Sequence, residues 1–322
     1  MHLVRSLALL VLLFMSSATA CAQDYPSRPI TMIVPFSAGG PGDVIARILG
    51  TAMSAPLKQA FVIENVVGAG GTLGTNRVAK AVPDGYTLLL MHVGQATAPA
   101  LYAKLPFDPI GDFAMIGLVT DVPMILVARP NFPAKDLKEL VERIRSEGDK
   151  TTMGNVGLGS ASHLCGLMFM SATDTKLTSV FYKGGGPALN DLVGGQVQMF
   201  FVASAVVLPY IKSGRLKALA ISGDHRLAAL PDVPTFSEAG LANFEVGQWY
   251  AILAPAGTPK PIVDKVAADV AKVLALPDVK EKLAAQGMEP FVTTPSQLGE
   301  LMEKDLARYA KLIKAADIKM EQ

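Results

Sequence analysis

Residues 30–53 read ITMIVPFSAGGPGDVIARILGTAM and contain the pattern that decides the fold. An apolar run rich in β-formers, residues 30–36, leads into the glycines of residues 38–42, and an amphipathic helical segment follows over residues 43–53. The same succession recurs three times, with its apolar runs at residues 61–67, 151–156 and 179–182. Strands that alternate with helices of this length predict parallel sheets with right-handed crossovers.

Two of these units lie early in the chain and two lie centrally, and 322 residues exceed what one hydrophobic core usually organises. We therefore predict an α/β protein of two lobes, each a doubly wound sheet, with a ligand cleft between them. In open α/β sheets, ligands bind beyond the carboxyl ends of the strands, where the four glycine-rich loops should lie. Glycines let backbone N–H groups approach a ligand, and helix N-termini favour negative charge, so the loops suit an anion.

The first residues predict export. Arg5 is followed by the apolar run of residues 7–15 and by small residues 16–22, as in a secretory signal. Cleavage could follow Ala20 or Ala22, and we favour Ala22 because a polar stretch begins at Gln23. A lipid anchor on Cys21 is the alternative. We expect a periplasmic location and a signal peptide over residues 1–22.

Removal of that signal leaves 28 basic and 28 acidic residues, without the basic excess of a nucleic-acid binder. Cys165 would be the only remaining cysteine, so no intramolecular disulfide is expected. The later apolar stretch at residues 199–208 is stopped by Pro209, which argues against a second membrane segment.

Catalytic motifs are incomplete. The glycines of residues 68–74 lack the third glycine of a dinucleotide fingerprint, since Leu73 occupies its place. Ser160, Ser162 and His163 stand together as in a hydrolase, but no G-x-S-x-G elbow surrounds either serine. The other histidines lack the spacing of metal ligands. We expect no catalytic residue, no metal and no cofactor.

Several single residues have two interpretations at this point. Asp43 is expected to cap the first helix, with a ligand role as the alternative. Lys183 is either a solvated loop charge or an aid to anion capture. His163 is expected to pack or hydrogen-bond near its loop, and Trp249 either packs between the lobes or touches the ligand.

A set of short motifs resembles the Bug family, the periplasmic receptors of tripartite tricarboxylate transporters. The resemblance covers essentially the whole mature chain, in order. Its main motifs are residues 25–30 (YPSRPI), 34–36 (VPF) with Gly39-Gly40, 68–71 (GAGG), 83–88 (PDGYTL), 162–164 (SHL), 182–184 (YKG), 194–197 (GGQV), 231–235 (PDVPT), 238–240 (EAG) and 254–259 (APAGTP), together with Asp112-Phe113.

The resemblance implies a solute-binding protein that grips a small carboxylate between two lobes joined by crossing strands. Residues 36–42 and 157–163 match the family's two facing ligand loops. The implied partners are the carboxylate and the permease subunits of a tripartite tricarboxylate transporter, and we expect a monomer. A receptor for a sensor kinase and a periplasmic hydrolase are the alternatives. We assign residues 23–124 to the first lobe, 125–222 to the second, and 223–322 to the return and the C-terminal helices.

The chain departs from the family pattern in places that concern the ligand. Val202 and Ala203 stand where relatives often carry Asp-Asn, which favours an apolar or aromatic ligand body, or else they pack behind the pocket. His92 stands where small residues are usual, and it could donate to a second carboxylate. The predicted ligand-binding residues are Phe36, Ser37, Ala38, Gly39, Gly40, Asp43, Gly70, His92, Gly157, Gly159, Ser160, Ser162, His163, Lys183 and Val202.

Overall fold

The computed structural model describes residues 25–316 except 158, 183, 243, 245 and 246. The predicted signal, residues 1–22, lies outside the described residues. The strands are β1 (Ile30–Val34), β2 (Phe61–Asn65), β3 (Thr87–His92), β4 (Phe113–Asp121), β5 (Met124–Ala128), β6 (Thr152–Asn155), β7 (Thr178–Phe181), β8 (Met199–Ala203), β9 (Lys217–Ile221), β10 (Tyr250–Pro255) and β11 (Glu289–Pro290).

The helices pack on both sides of the sheets formed by these strands. They are α1 (Pro41–Leu57), α2 (Thr72–Ala79), α3 (Gly94–Leu101), α4 (Leu137–Glu147), α5 (Ala161–Thr173), α6 (Gly185–Gly194), α7 (Ser204–Lys212), α8 (Lys260–Leu274), α9 (Pro277–Ala285) and α10 (Pro295–Ala315). Residues at the N-terminus stabilise the first turn of several helices. Pro41 occupies the first turn of α1, Ser160 caps α5, and Thr294 forms a capping box with Gln297 at α10.

The strands form two sheets, which confirms the predicted two-lobed α/β fold. The first has the order β11-β4-β10-β3-β1-β2 and the second the order β7-β6-β8-β5-β9. β1, β2 and β3 are parallel, as are β6, β7 and β8. The strands of all four predicted units therefore pair within their own lobe, β1 beside β2 and β6 beside β7. Central strands such as β5 and β10 are buried along their whole length, as expected between layers of helices.

The path of the chain decides which edges of the sheets face each other. β4 runs in the same direction as β1 and β3, because each of them is linked to it through the antiparallel β10. It passes from its carboxyl end at Asp121 directly into the start of β5, which is antiparallel to β8 and β9. The carboxyl edges of both sheets consequently face the same junction, and the loops that follow β1, β2, β3, β6 and β7 line the two sides of one cleft.

The junction consists of two chain segments that pair with each other. Pro123 on the first crossing forms an antiparallel bridge with Gly247 on the second, and the Gln248 amide donates to the Val122 carbonyl at 3.1 Å. On the second lobe, the Ser204 amide donates to the Pro123 carbonyl at 2.9 Å. The hinge is therefore a short two-stranded ribbon anchored in both lobes.

The second crossing occurs later in the chain than the boundary at residue 222 suggested. Thr235 still bridges Ile221, and the ring of Phe236 stacks on Phe201 of β8 with centroids 5.8 Å apart. Phe244 joins the same aromatic cluster, 4.3 Å from Phe236. Phe236 and Phe244 thus complete the core of the second lobe, because their rings pack on Phe201 of its sheet.

The C-terminal helices predicted within residues 223–322 are α8, α9 and α10. No helix in the described ranges is long and apolar enough to cross a membrane. The described residues also hold no group of three histidine, cysteine or acidic side chains arranged for a metal ion.

Asp121 is an ionisable group within the hinge. Its Oδ1 is buried without a hydrogen-bond partner, and its carboxylate packs on the backbone of Gly247, where an added Cβ would lie 2.2 Å from that oxygen. Burial, with the nearby charges of Asp305, Glu289 and Asp224, raises the pKa of Asp121 to about 6, although the Val122 amide opposes the shift. The neutral form of this carboxyl is therefore the one that suits the folded hinge.

We predict that Asp121→Asn becomes more stable relative to the parent protein as pH rises. The folded parent retains a proton between about pH 4 and 6 that the unfolded chain releases, so the stability from this proton is present at low pH and is lost as pH rises through 6. The difference should reach on the order of 3 kcal/mol.

Thermal unfolding of both proteins at low and neutral pH measures this change. The buried histidines contribute equally to both proteins and cancel in the comparison. Asp232→Asn, at an exposed aspartate, is the matched control. A difference between parent and Asp121→Asn that does not change with pH would contradict the assignment.

Candidate functional site

The loop between β1 and α1 offers backbone donors to the cleft. The Gly39 amide donates to Oδ2 of Asp43 at 2.9 Å, and the Gly40 amide donates to the Ser37 carbonyl at 3.3 Å. The amides of Ser37 and Ala38 have no acceptor among the described residues, and both residues are exposed. The loop is thus held by its own contacts while two of its N–H groups remain available.

Asp43 holds this loop in place. The prediction that it caps α1 is wrong. Gly40 is the N-cap residue, because its extended backbone precedes Pro41, which leaves Asp43 inside the first turn. Its carboxylate accepts from the Gly39 amide and from Nε of Arg47, both at 2.9 Å. Burial raises the pKa of Asp43, but hydrogen bonds from Arg47, Gly39 and Asn65 outweigh it and lower the pKa overall. Asp43 therefore stays ionised and paired with Arg47.

The facing loop, between β6 and α5, uses its side chains internally. Ser160 Oγ donates to the Gly157 carbonyl at 2.7 Å and lies 2.9 Å from Ser162 Oγ, which accepts from the Val156 amide at 3.0 Å. Since Ser160 gives its single hydrogen to Gly157, the hydrogen between the two hydroxyls comes from Ser162. Both hydroxyl groups then brace the loop, and the first amides of α5 point out of its N-terminus.

His163 is a structural histidine in this loop. Its Nδ1 accepts from the Gly159 amide at 3.1 Å, and its ring meets Phe181 edge-on at 5.0 Å. Burial lowers its pKa to about 4, so it is neutral at pH 7. Neither serine hydroxyl bonds to the ring within the described part of the chain, so the nucleophile and base of a hydrolase are not assembled.

An aromatic stack forms the floor of the cleft on the first lobe. The His92 ring lies parallel to Phe36 with centroids 4.3 Å apart, and Tyr250 meets it edge-on at 5.7 Å. Tyr250 contacts His92 because β10 pairs with β3, which places the two residues directly opposite each other. No sequence spacing joins residues 36, 92 and 250, which explains why Tyr250 was absent from the predicted site.

Gly159 on the second lobe lies against Leu101 on the first, in one of the contacts between the lobes. A Cβ added to Gly159 would lie 2.3 Å from Cδ1 of Leu101, at the end of α3. Gly159 has a positive φ of 69°, a conformation that favours glycine. This glycine therefore allows the second-lobe loop to approach the first lobe.

Three predicted residues remain: Gly70, Val202 and Lys183. Gly70 lies on the β2–α2 loop against Tyr102, whose hydroxyl donates to the Ala69 carbonyl at 3.1 Å. Val202 is only 4% exposed and packs in the core of the second lobe, so its assignment to the cleft wall is wrong. All five residues of β8 are buried, and the side chain of Val202 belongs to a cluster that includes Ile125 and Val127. Lys183 lies outside the described residues.

Trp249 and His225 belong to the hinge. Nε1 of Trp249 donates to Asp305 of α10 at 2.8 Å, which fixes the start of β10 on that helix. His225 bonds to Asp224 and to Glu289, and these hydrogen bonds raise its pKa. Neither residue is part of the facing loops.

Comparison with known proteins agrees with this architecture. A family model described as the tripartite tricarboxylate transporter family receptor matches residues 45–318. The solved periplasmic binding protein BugD is 43% identical, with a TM-score of 0.79, over 92% of this chain and 100% of that one.

Two further solved structures contain organic acids. MatC from Rhodopseudomonas palustris, with bound malate, is 39% identical, with a TM-score of 0.77, over 90% of this chain and all of that one. A second R. palustris protein, solved with adipate, is 31% identical, with a TM-score of 0.82, over 92% of this chain and all of that one. The family and these neighbours are solute-binding proteins and not enzymes. The fold, the facing loops and the match over most of the sequence together show that the chain belongs to the tripartite tricarboxylate transporter receptor family.

Proposed function

We propose that this protein captures a small mono- or dicarboxylate in the periplasm and delivers it to the membrane permease of a tripartite tricarboxylate transporter. The observation that carries the proposal is the pair of loops with available amides, residues 36–40 and 157–163, on facing edges of the two sheets. Malate and adipate in two neighbours of the same family support the ligand class. The N-terminal sequence, read as a signal cleaved near Ala22, supports export.

Backbone amides suit this role because they bind an anion without a permanent positive charge. Ionised carboxylates lose several hydrogen bonds to water on entering a cleft, and a closely packed set of N–H donors replaces them. The N-termini of α1 and α5 add a favourable dipole on either side of the site. Uncharged donors also leave the ligand free to dissociate at the membrane.

The ligand body would lie against an apolar surface. The stacked rings of Phe36 and His92, with Tyr250 behind them, offer flat faces on which a chain or a ring can pack. This surface replaces Val202 and Ala203 as the basis for an apolar ligand body, since both of those side chains are buried in the second lobe.

Capture requires the lobes to close over the ligand. The two crossings pair at Pro123 and Gly247, and rotation about this ribbon would open and close the cleft. A carboxylate that bridges both loops makes its full set of contacts only in the closed form, and this difference shifts the equilibrium towards closure. The permease would then recognise the closed protein.

We predict that small dicarboxylates raise the melting temperature and that neutral molecules of the same length do not. Ligand at about 100 times its Kd stabilises a protein by about 2.7 kcal/mol, which corresponds to several degrees for a chain of this size. The shift in melting temperature is measured by scanning calorimetry with malate, adipate and 1,6-hexanediol. Binding of the diol with no response to either acid would contradict the proposal.

We predict that Gly159→Ala weakens carboxylate binding by about tenfold. The added Cβ would collide with Leu101 and so keep the second lobe away from the first. Leu101→Ala in the same chain should restore much of the loss by removing the obstacle. Calorimetric titration with adipate measures both effects.

Gly214→Ala is the matched control for backbone strain. Its φ of 70° equals that of Gly159 within a degree, an added Cβ there meets nothing within 4 Å, and the residue lies in the turn before β9, away from the cleft edge. Gly214→Ala should lower the free energy of unfolding by about 1–2 kcal/mol without weakening ligand binding. Equal losses of affinity in Gly159→Ala and Gly214→Ala would show that strain, and not lobe contact, is responsible.

A further inference from the structure

His92 carries a hydrogen-bond donor that the protein itself does not use. The Gly94 amide donates to Nδ1 of His92 at 2.8 Å, so Nδ1 must be unprotonated and the hydrogen of the neutral ring sits on Nε2. Among the described residues no acceptor lies within hydrogen-bonding distance of Nε2, and the side chain is partly accessible. A partly accessible N–H without an acceptor in the described part of the chain is available to a ligand that displaces water from it.

The position of His92 places this donor at the edge of the sheet where the ligand is proposed to bind. It is the last residue of β3, a strand inside the first sheet, and therefore stands at the carboxyl edge that faces the second lobe. Phe36, which stacks on the ring, belongs to the same loop that offers the Ser37 and Ala38 amides. The donor of His92 and these amides thus border one region of the cleft from different strands.

The ring is held neutral and in a fixed orientation. Desolvation lowers the pKa of His92 to about 4, with its own backbone contact as the only opposing effect. The charged groups of the adjacent helix α1, Asp43 and Arg47, are paired with each other. Tyr250 on β10 stays protonated, because burial raises its pKa, and its hydroxyl accepts from Gln248 at 2.9 Å.

We propose that His92 is the specificity-determining residue of the cleft and that its Nε2–H binds a second carboxylate on the ligand, so that the protein selects dicarboxylates over monocarboxylates of equal length. The inference rests on the proposed function, since the first carboxylate is held by the loop amides. The aromatic faces of Phe36 and Tyr250 keep the ring in place and shield the hydrogen bond from water. A hydrogen bond to an ionised acceptor is worth more than one between neutral groups.

Binding of a carboxylate should also change the protonation of the ring. A negative charge beside Nε2 raises the pKa of His92 in the complex above its value in the free protein, so binding takes up protons as pH falls. Because the ring of the free protein titrates only near pH 4, dicarboxylate affinity should increase as pH falls towards the raised pKa of the complex, whereas monocarboxylate affinity should change little.

The test uses adipate and hexanoate, which share a six-carbon chain and differ in the second carboxylate, with three variants of the full chain. His92→Phe retains a ring between Phe36 and Tyr250 but has no N–H donor. His92→Gln retains a donor that does not titrate. His92→Ala removes both the ring and the donor. Thermal unfolding without ligand establishes that each variant is folded, and calorimetry measures both affinities.

We expect His92→Phe and His92→Ala to lose adipate affinity by about tenfold or more. Hexanoate affinity should stay within about twofold in His92→Phe, where the ring surface is kept. His92→Gln should retain most of the preference for adipate and lose its pH dependence. An unchanged preference for adipate in His92→Phe would overturn the inference. Absence of adipate and hexanoate binding by the parent protein would instead overturn the proposed function.

Discussion

The pairing of the two crossing segments is the interaction on which the rest of the molecule depends. Because β4 leaves the first sheet at its carboxyl end and β5 enters the second sheet antiparallel to its neighbours, both carboxyl edges face the same space. The bridge between Pro123 and Gly247 and the bond from Gln248 to Val122 hold this arrangement together. If either crossing ran the other way, the glycine-rich loops of one lobe would point away from those of the other.

The loops on these edges are arranged to bind charge without carrying it. Serine hydroxyls, the Asp43 carboxylate and the Nδ1 atoms of His92 and His163 all engage backbone groups of their own loops. These contacts fix the loop conformations and leave the Ser37 and Ala38 amides without an acceptor among the described residues. The two histidines are neutral because desolvation disfavours their charged forms. Neutral donors in a fixed geometry allow an anion to bind and leave, which a transport receptor requires.

The hinge has a different chemical character from the cleft. Asp121, Asp224, Glu289 and Asp305 gather there, partly balanced by His225 and by Arg308, which pairs with Asp305. The charge of Asp121 bears directly on the hinge, because its carboxylate packs on Gly247, the residue that forms the bridge with Pro123. Burial raises the pKa of Asp121 to about 6, so the ribbon holds this carboxyl in its neutral form in mild acid and is less stable once it ionises.

The sequence by itself determined the features that depend on local periodicity and on short motifs. Alternating strands and helices, the four glycine-rich loops and the C-terminal helices follow from patterns that span fewer than about 25 residues, and the family motifs follow from residue identity. Helix α3 was missed because its sequence, GQATAPAL, contains both glycine and proline, which disfavour a helix unless tertiary contacts stabilise it. The cap of α1 was misplaced by three residues because Gly40 has no side chain to mark it.

Only the tertiary structure decided which side chains reach the cleft. It placed Val202 in the core, because β8 is a central strand of the second sheet and both of its faces are covered. It brought Tyr250 beside His92 through the pairing of strands that are more than 150 residues apart in the chain. It also kept Phe236 and Phe244 with the second lobe, since their rings complete an aromatic core that no local pattern reveals. Contacts between distant residues depend on the packing of whole sheets, and that information does not lie in any single stretch of sequence.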